Sequence, residues 1–215
     1  MQEMVSDYNI TIPPAVLIKT PEIFLWSNIP LESVDDLVGL RIRTAGDDGT
    51  VFTDLGAACT LLGGTETYEA LARGVLDGCQ LGSPAIDIGI GVHEVATYMY
   101  SGSARSPAEI EPILINTDSW NELDAGLQEL VTAEIMRTSL SFYAAQTRLD
   151  VSAVEDFLAY GTVVGPIPAD INQAMVDGGA ALYAERSALD PFYKRVIDSK
   201  QNFSDLIRLT YPAGL

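Results

Sequence analysis

Arg43 is the residue whose type and place suggest chemistry first. It lies in LRIRT, Leu40–Thr44, a run that reads as a β-strand. A guanidinium at a strand end can point into a cleft. Its planar fork of donors grips a carboxylate through two parallel bonds. The alternative is a solvent-exposed arginine at the end of a strand. Other groups carry less. His93 is the single histidine, so neither a multi-histidine metal site nor a proton relay can be built. It has no GxSxG elbow near it and reads as a surface or helix-packing residue. The GIG of Gly89–Gly91 has Glu94 where a dinucleotide fingerprint has its third glycine, and it opens no helix after a strand. No Walker A sequence is present. Acidic pairs such as Asp47-Asp48 are uninformative in a chain with 30 Asp+Glu against 12 Lys+Arg. A carboxylate acid/base couple has no further support. Cys59 and Cys79 form no CxxC pair, which removes a metal site by spacing. They read as small residues on strands that flank LRIRT, too far apart to form a disulfide.

Charge narrows the partners. The formal net charge is -18, which repels phosphate backbones and anionic lipid surfaces. Nucleic acid is therefore not expected as a partner. A protein this acidic that binds an anion must concentrate positive charge locally, so its few arginines matter. With 215 residues, 47% hydrophobic and 20% charged, the chain can bury a sizeable core. No apolar stretch is long enough to span a bilayer. Met1 is not followed by a basic segment and an apolar run, so no export signal is read here.

The elements that would position Arg43 alternate. Ser33 caps a short helix to Val38 with Asp36 as its capping-box partner, and Gly39 ends it. LRIRT follows, then a loop in which Asp48 is a candidate cap for a helix near Val51–Leu55. ACTLL (Ala58–Leu62) is a second strand, Thr65 the candidate cap of the helix closed by Gly74, and DGCQL (Asp77–Leu81) a third strand. From Gly82-Ser83-Pro84 a helix runs towards Tyr100. PILIN (Pro112–Asn116) is a strand. Asp124 opens a helix to about Tyr160, longer than is usual in a globular domain. Gly161–Pro168 is a strand and turn, and two helices follow, Asp170–Ala188 and Asp190–Ser199. This alternation predicts an α/β fold on a parallel sheet, with ligands at the carboxyl ends of the strands beside helix N-termini.

The order SVDDLVGLRIRTAG, LGAACTLLGGTETYEALARGVLDG, INTDSWNELDAGLQELV resembles the substrate-binding proteins of tripartite ATP-independent periplasmic (TRAP) transporters, of the dicarboxylate-receptor type. LGG before the glutamate and GIGVHEVATYMYSG resemble the subgroup that binds 2-oxo acids and lactate. The resemblance implies a periplasmic-binding-protein-like α/β fold: two lobes joined by a long bridging helix, the first lobe incomplete. Residues 1–215 would form one partial substrate-binding protein. Lobe two would comprise about 21–102 plus 161–200, and the bridging helix with a remnant of lobe one about 103–160. The resemblance also implies a periplasmic receptor for a small organic carboxylate, delivered to TRAP permease membrane subunits, with a homodimer possible. A ligand-sensing domain or an enzyme reusing the fold is the alternative.

Residue by residue, the resemblance makes Arg43 the ligand's carboxylate grip. Gly64 becomes a pocket-lining position, and Tyr68 the aromatic residue of the following helix. Gln80 and Leu81 become the pair that faces the ligand, and Asn116 an asparagine near the hinge. Two departures stand out. Members of the oxo-acid subgroup can hold a metal ion through an acidic residue at the Gln80 position and another at the position of Arg105, in SGSARSP. Here one is neutral and the other cationic, so the resemblance implies no metal or other cofactor, with Arg105 contacting the ligand instead. The tryptophan common at the Leu81 position is also missing. The family's N-terminal segment has no counterpart in the residues given.

Overall fold

The computed structural model describes residues 1–106 and 109–210. Its strands, in chain order, are β1 (Ile10–Thr11), β2 (Val16–Lys19), β3 (Leu25–Ser27), β4 (Arg41–Arg43), β5 (Ala58–Thr60), β6 (Gly78–Cys79), β7 (Tyr98–Ser101), β8 (Glu109–Pro112), β9 (Ile115–Asn116) and β10 (Val163–Pro166). The α-helices are α1 (Gly46–Asp54), α2 (Gly64–Ala72), α3 (Pro84–Ile90), α4 (Thr117–Asn121), α5 (Ala125–Tyr160), α6 (Ala169–Leu189) and α7 (Pro191–Thr210).

The fold is α/β, as expected, but the sheet is mixed. Its six strands run in the order β10-β7-β3-β6-β4-β5. β4 is parallel to both β5 and β6, whereas β3 is antiparallel to β6 and β7. Two antiparallel ribbons, β1 with β9 and β2 with β8, complete the strands. Cys59 and Cys79 lie on the strands that flank β4. About two strand spacings separate them, some 10 Å, and both thiols are unpaired.

Side-chain alternation along the strands builds two cores. Leu25, Ile42 and Tyr100 pack with Val51 and Phe52 of α1 and with Ile171, Met175 and Leu182 of α6. Trp26, Cys79 and Met99 face the other way and pack with Leu71 of α2 and with Ala153 and Phe157 of α5. Phe157 meets Trp26 edge-on at 5.0 Å between ring centroids, which anchors the long helix to the sheet. Burying such a side chain contributes roughly 1.5–3 kcal/mol.

Several local readings hold. Ser33 and Asp36 form the capping box of a 3-10 helix over Val34–Leu37, and Gly39 follows with φ +77°. Asp124 accepts from Leu127 N at 2.9 Å and opens α5, which Gly161 ends. Other readings shift. Asp48 lies inside α1, because the turn closes earlier with Ala45 as cap. α2 starts at Gly64 with Gly63 as cap, Glu66 accepting from its backbone N–H, so Thr65 is not the cap. The helix expected towards Tyr100 stops at Gly91, whose φ is +83°, and Tyr98–Ser101 is strand β7. PILIN divides between β8 and β9. His93 packs its ring on Phe157 and Tyr160.

Candidate functional site at the carboxyl ends of the parallel strands

β5, β4 and β6 all point their carboxyl ends the same way. Helices α1, α2 and α3 begin just beyond those ends, which turns their N-terminal N–H groups towards this side of the sheet. Arg43 sits in the middle. Its Nε donates to Leu62 O at 2.9 Å, beyond β5, and its Nη1 donates to Gln80 O, beyond β6. One guanidinium thus joins three strand ends. It carries five N–H groups and spends two on these carbonyls. The other three have no protein acceptor among the described residues.

The contrast with Arg41 is informative. Arg41 lies two residues earlier, on the same face of the strand. It binds Asp77 through two bonds and pulls that carboxyl below its ordinary range. Arg43 has no such partner. Among the described residues it is the one partly buried Lys or Arg side chain outside any ion pair.

Gly64 and Tyr68 stand four residues apart in the first turns of α2, on the side of the sheet that Arg43 faces. Tyr68 donates its hydroxyl to Glu94 at 3.0 Å, and that bond raises its pKa. Gln80 does not face outwards. It is 2% exposed; its Oε1 accepts from Thr44 Oγ1 and its Nε2 donates to Phe24 O at 2.8 Å. Both ends of the amide are consumed in the core, and Gln80 contributes only its carbonyl to the strand end. Leu81 is partly buried against the second core. Asn116 belongs elsewhere: it is exposed on the β1–β9 ribbon and caps α4 by accepting from Ser119 N at 3.1 Å.

Arg105 is also turned inwards. It is 8% exposed, and Glu22, Ile23 O and Leu81 O hold it. Its pairing with Glu22 leaves it committed to the protein, which argues against a direct ligand contact. Pro107 of its loop lies outside the described residues. Glu22 and Asp87 were not singled out in the sequence, and Asp48 was named only as a candidate helix cap and as part of an uninformative acidic pair. Each is one acidic residue in a very acidic chain, and only the tertiary fold distinguishes them. Asp87 is buried, accepting from Trp26 Nε1 at 2.7 Å and Gly82 N at 2.9 Å, and burial pushes its carboxyl up to about 6. Burial likewise raises Asp48, while the charge of Arg105 and the Gln80 amide pull it back.

Beside the same end of the sheet, on the α1 side, a cleft of about 420 Å³ is lined by Thr44, Ala45, Gly46, Thr50, Thr60 and Leu61 among others. Among the described residues no hydroxyl or thiol hydrogen-bonds to His93, and no group of three or more His, Cys, Asp or Glu is arranged to hold a metal ion. No described helix is long and apolar enough to cross a membrane.

Residues 23–188 match the model of the DctP family, bacterial extracellular solute-binding proteins of family 7. The chain belongs to this family. Within it, the chain is 29% identical over 178 residues to a monocarboxylate 2-oxoacid-binding periplasmic protein of Nostoc sp. strain PCC 7120, covering 83% of this chain and 49% of that one. A TRAP periplasmic solute-binding protein of Colwellia psychrerythraea, solved with calcium and pyruvate, superposes with a TM-score of 0.90 at 25% identity over 100% of this chain and 65% of its own. A second, from Pseudoalteromonas atlantica T6c with sodium and pyruvate, gives 0.86 at 25% identity over 97% and 64%. All three relatives are solute-binding proteins. The DctP chain described here spans about half the length of the Nostoc relative and just under two thirds of the two solved structures. The expected α/β solute-binding fold is therefore correct. Around Arg105, Glu22 Oε2, Ile23 O and Leu81 O each already accept from its guanidinium.

Proposed function

We propose that this chain is part of a periplasmic receptor that captures a small organic carboxylate and hands it to TRAP permease membrane subunits. The observation that carries the reading is Arg43. It is half-buried at the convergence of three strand ends, is held in orientation by two carbonyls, and keeps three N–H groups without an acceptor among the described residues. In a chain of net charge -18, an unpaired arginine in such a place is matched by an anion supplied from outside. Pyruvate-bound relatives support a 2-oxo or hydroxy monocarboxylate as that anion. In the proposed mechanism one carboxylate takes the open edge of the Arg43 fork, as a bidentate pair. Covering the site would exclude water and strengthen the pair.

The six-stranded sheet with α6 and α7 would form most of one lobe, about 21–102 plus 161–200. Residues 103–160 would supply the bridging helix and part of the other. Gly64 and Tyr68, in the first turns of α2, would bound the ligand on the α2 side. Calorimetric titration with pyruvate, lactate, malonate and a neutral amide analogue tests the reading. Binding of one acid class, lost in Arg43→Ala, is the expected result. An Arg43→Ala protein that binds every acid as well as the parent overturns it.

A further inference from the structure

Arg105 arrives on the loop after β7 and ends in a shell of four oxygens drawn from three separate segments. Glu22 Oε2 accepts from Nη2 at 2.5 Å and from Nε at 2.9 Å. Ile23 O accepts from Nη1 and Leu81 O from Nη2, both at 3.2 Å. Asp48 Oδ2 stands 3.8 Å from Nε. Two carboxylates and two carbonyls are the hard oxygen donors that sodium and calcium use. Part-buried carboxylates of one sign cannot stand together without a compensating cation. Here the compensating cation is covalently attached.

We propose that Arg105 is a built-in cation: its guanidinium fills an oxygen cage that would otherwise take a metal ion, and this frees the strand ends from any need for bound sodium or calcium. The Colwellia and Pseudoalteromonas structures carry such an ion as well as pyruvate; this chain carries the charge on its own side chain. Two consequences can be measured. The parent protein is indifferent to calcium. Removing the side chain leaves Glu22, Asp48, Ile23 O and Leu81 O facing a vacated centre, and the cage becomes a calcium site. The inference goes beyond the receptor reading and does not need Arg43 to bind anything.

The experiment is a calcium titration of the whole chain in chelator-treated buffer, read by calorimetry and thermal unfolding. It compares the parent, Arg105→Ala and the double variant Glu22→Gln/Arg105→Ala. Weak calcium binding to the acidic surface is common to all three, so the difference between them counts. Arg105→Ala should take one calcium and gain roughly 5–10 °C in Tm at a hundredfold excess over Kd. The parent should show neither, and the double variant should lose most of the gain. One-to-one calcium binding by the parent with a comparable shift overturns the proposal, and so does a folded Arg105→Ala that takes none. If Arg105→Ala folds at no calcium concentration, Arg105→Gln keeps most of the side-chain bulk and replaces it; no calcium response there sinks the idea. Pyruvate affinity of the parent, measured with and without calcium, should be the same. If pyruvate does not bind at all, the receptor reading fails, while the calcium titration still decides the cage.

Discussion

Arg43 and Arg105 hold adjacent carbonyls of one strand end: Arg43 Nη1 donates to Gln80 O, and Arg105 Nη2 donates to Leu81 O. The two cations share a dipeptide without sharing an acceptor. Their electrostatic situations differ. Arg105 is neutralised by Glu22 at 2.5 Å, so its field beyond the cage is small. Arg43 has no carboxylate partner among the described residues, and its charge is the one that reaches solvent. The end of β6 is therefore rigid on both sides and electrostatically attractive on one.

That asymmetry predicts the outcome at Arg43. Lysine keeps the charge but not the planar fork. Arg43→Lys should weaken binding of a monocarboxylate about 10-fold or more, on the scale of roughly 1.5–3 kcal/mol for a charged hydrogen bond. It should also lower Tm slightly, because Leu62 O and Gln80 O lose fixed donors. Titration calorimetry with pyruvate checks the first and a melt the second. Equal affinity in Arg43→Lys and parent would show that only net charge is read.

Gln80 offers a test of the buried amide. Its Nε2 donates to Phe24 O and its Oε1 accepts from Thr44. Gln80→Glu replaces that donor with an acceptor at 2% exposure, close to Asp48. The ionised form should cost about 2–4 kcal/mol. Once protonated, the introduced carboxyl can donate to Phe24 O again. Its folded pKa therefore rises above the unfolded value, and the variant should be close to the parent at low pH and fall behind as pH rises. Urea melts at pH 5 and pH 8 read this; a deficit that does not grow with pH would mean that Phe24 O does not need the proton.

What could be read in the sequence was what is local. α5 announced itself through the Asp124 cap, an uninterrupted helical run and Gly161. β4, β5 and β6 were legible because turn residues bracket short strands. Long-range pairing was not. β3 carries no turn signal that marks it as antiparallel, so the sheet was expected to be parallel. Tyr98–Ser101 is a four-residue stretch with three apolar residues, too short for periodicity to separate strand from helix. Glu22 and Arg105 are 83 residues apart, and nothing in either neighbourhood links them. Arg43 was singled out by residue type and position, and the structure places it between Leu62 O and Gln80 O without a carboxylate partner among the described residues. Resemblance gave Asn116 a place near the hinge, where the structure gives it an ordinary capping bond.

Asp87 should set a pH dependence of stability. Burial, only partly offset by the bonds from Trp26 and Gly82, raises its carboxyl to about 6; the unfolded value is about 3.9. Between these values the native state holds a proton that the unfolded chain has released. The contribution of Asp87 is thus fully present below about pH 4 and is lost as pH rises through 6, by about 3 kcal/mol in all. Arg105 and Glu22 act on the same group with opposite signs. Asp87→Asn cannot titrate and gives up one of two acceptors. It should be less stable than the parent at pH 5, and the gap should narrow by roughly 1–1.5 kcal/mol by pH 7.5. Chemical denaturation at several pH values gives the difference curve; parallel curves would mean that Asp87 is ionised throughout.

Gly78 tests how closely β3 and β6 must approach. Ser27 is its register partner, and a Cβ built on Gly78 would lie 2.5 Å from Trp26 O. The obstacle is the backbone of the neighbouring strand, which cannot rotate away as a side chain could. To admit a methyl group, β3 and β6 must part, and that pulls on Trp26, which is fully buried, bonded to Asp87 and stacked edge-on with Phe157. Gly78→Ala should therefore cost about 3 kcal/mol or more, lowering Tm by roughly 6–12 °C in a chain of this size. Gly89 is the control. It lies in α3, and an added Cβ there meets nothing within 4 Å. Gly89→Ala should be neutral or stabilising by about 0.5–1 kcal/mol, since alanine restricts the unfolded chain and suits a helix. Paired melts of the two variants decide the matter: similar Tm values would mean that the two strands yield without cost, and that Trp26 does not pin them together.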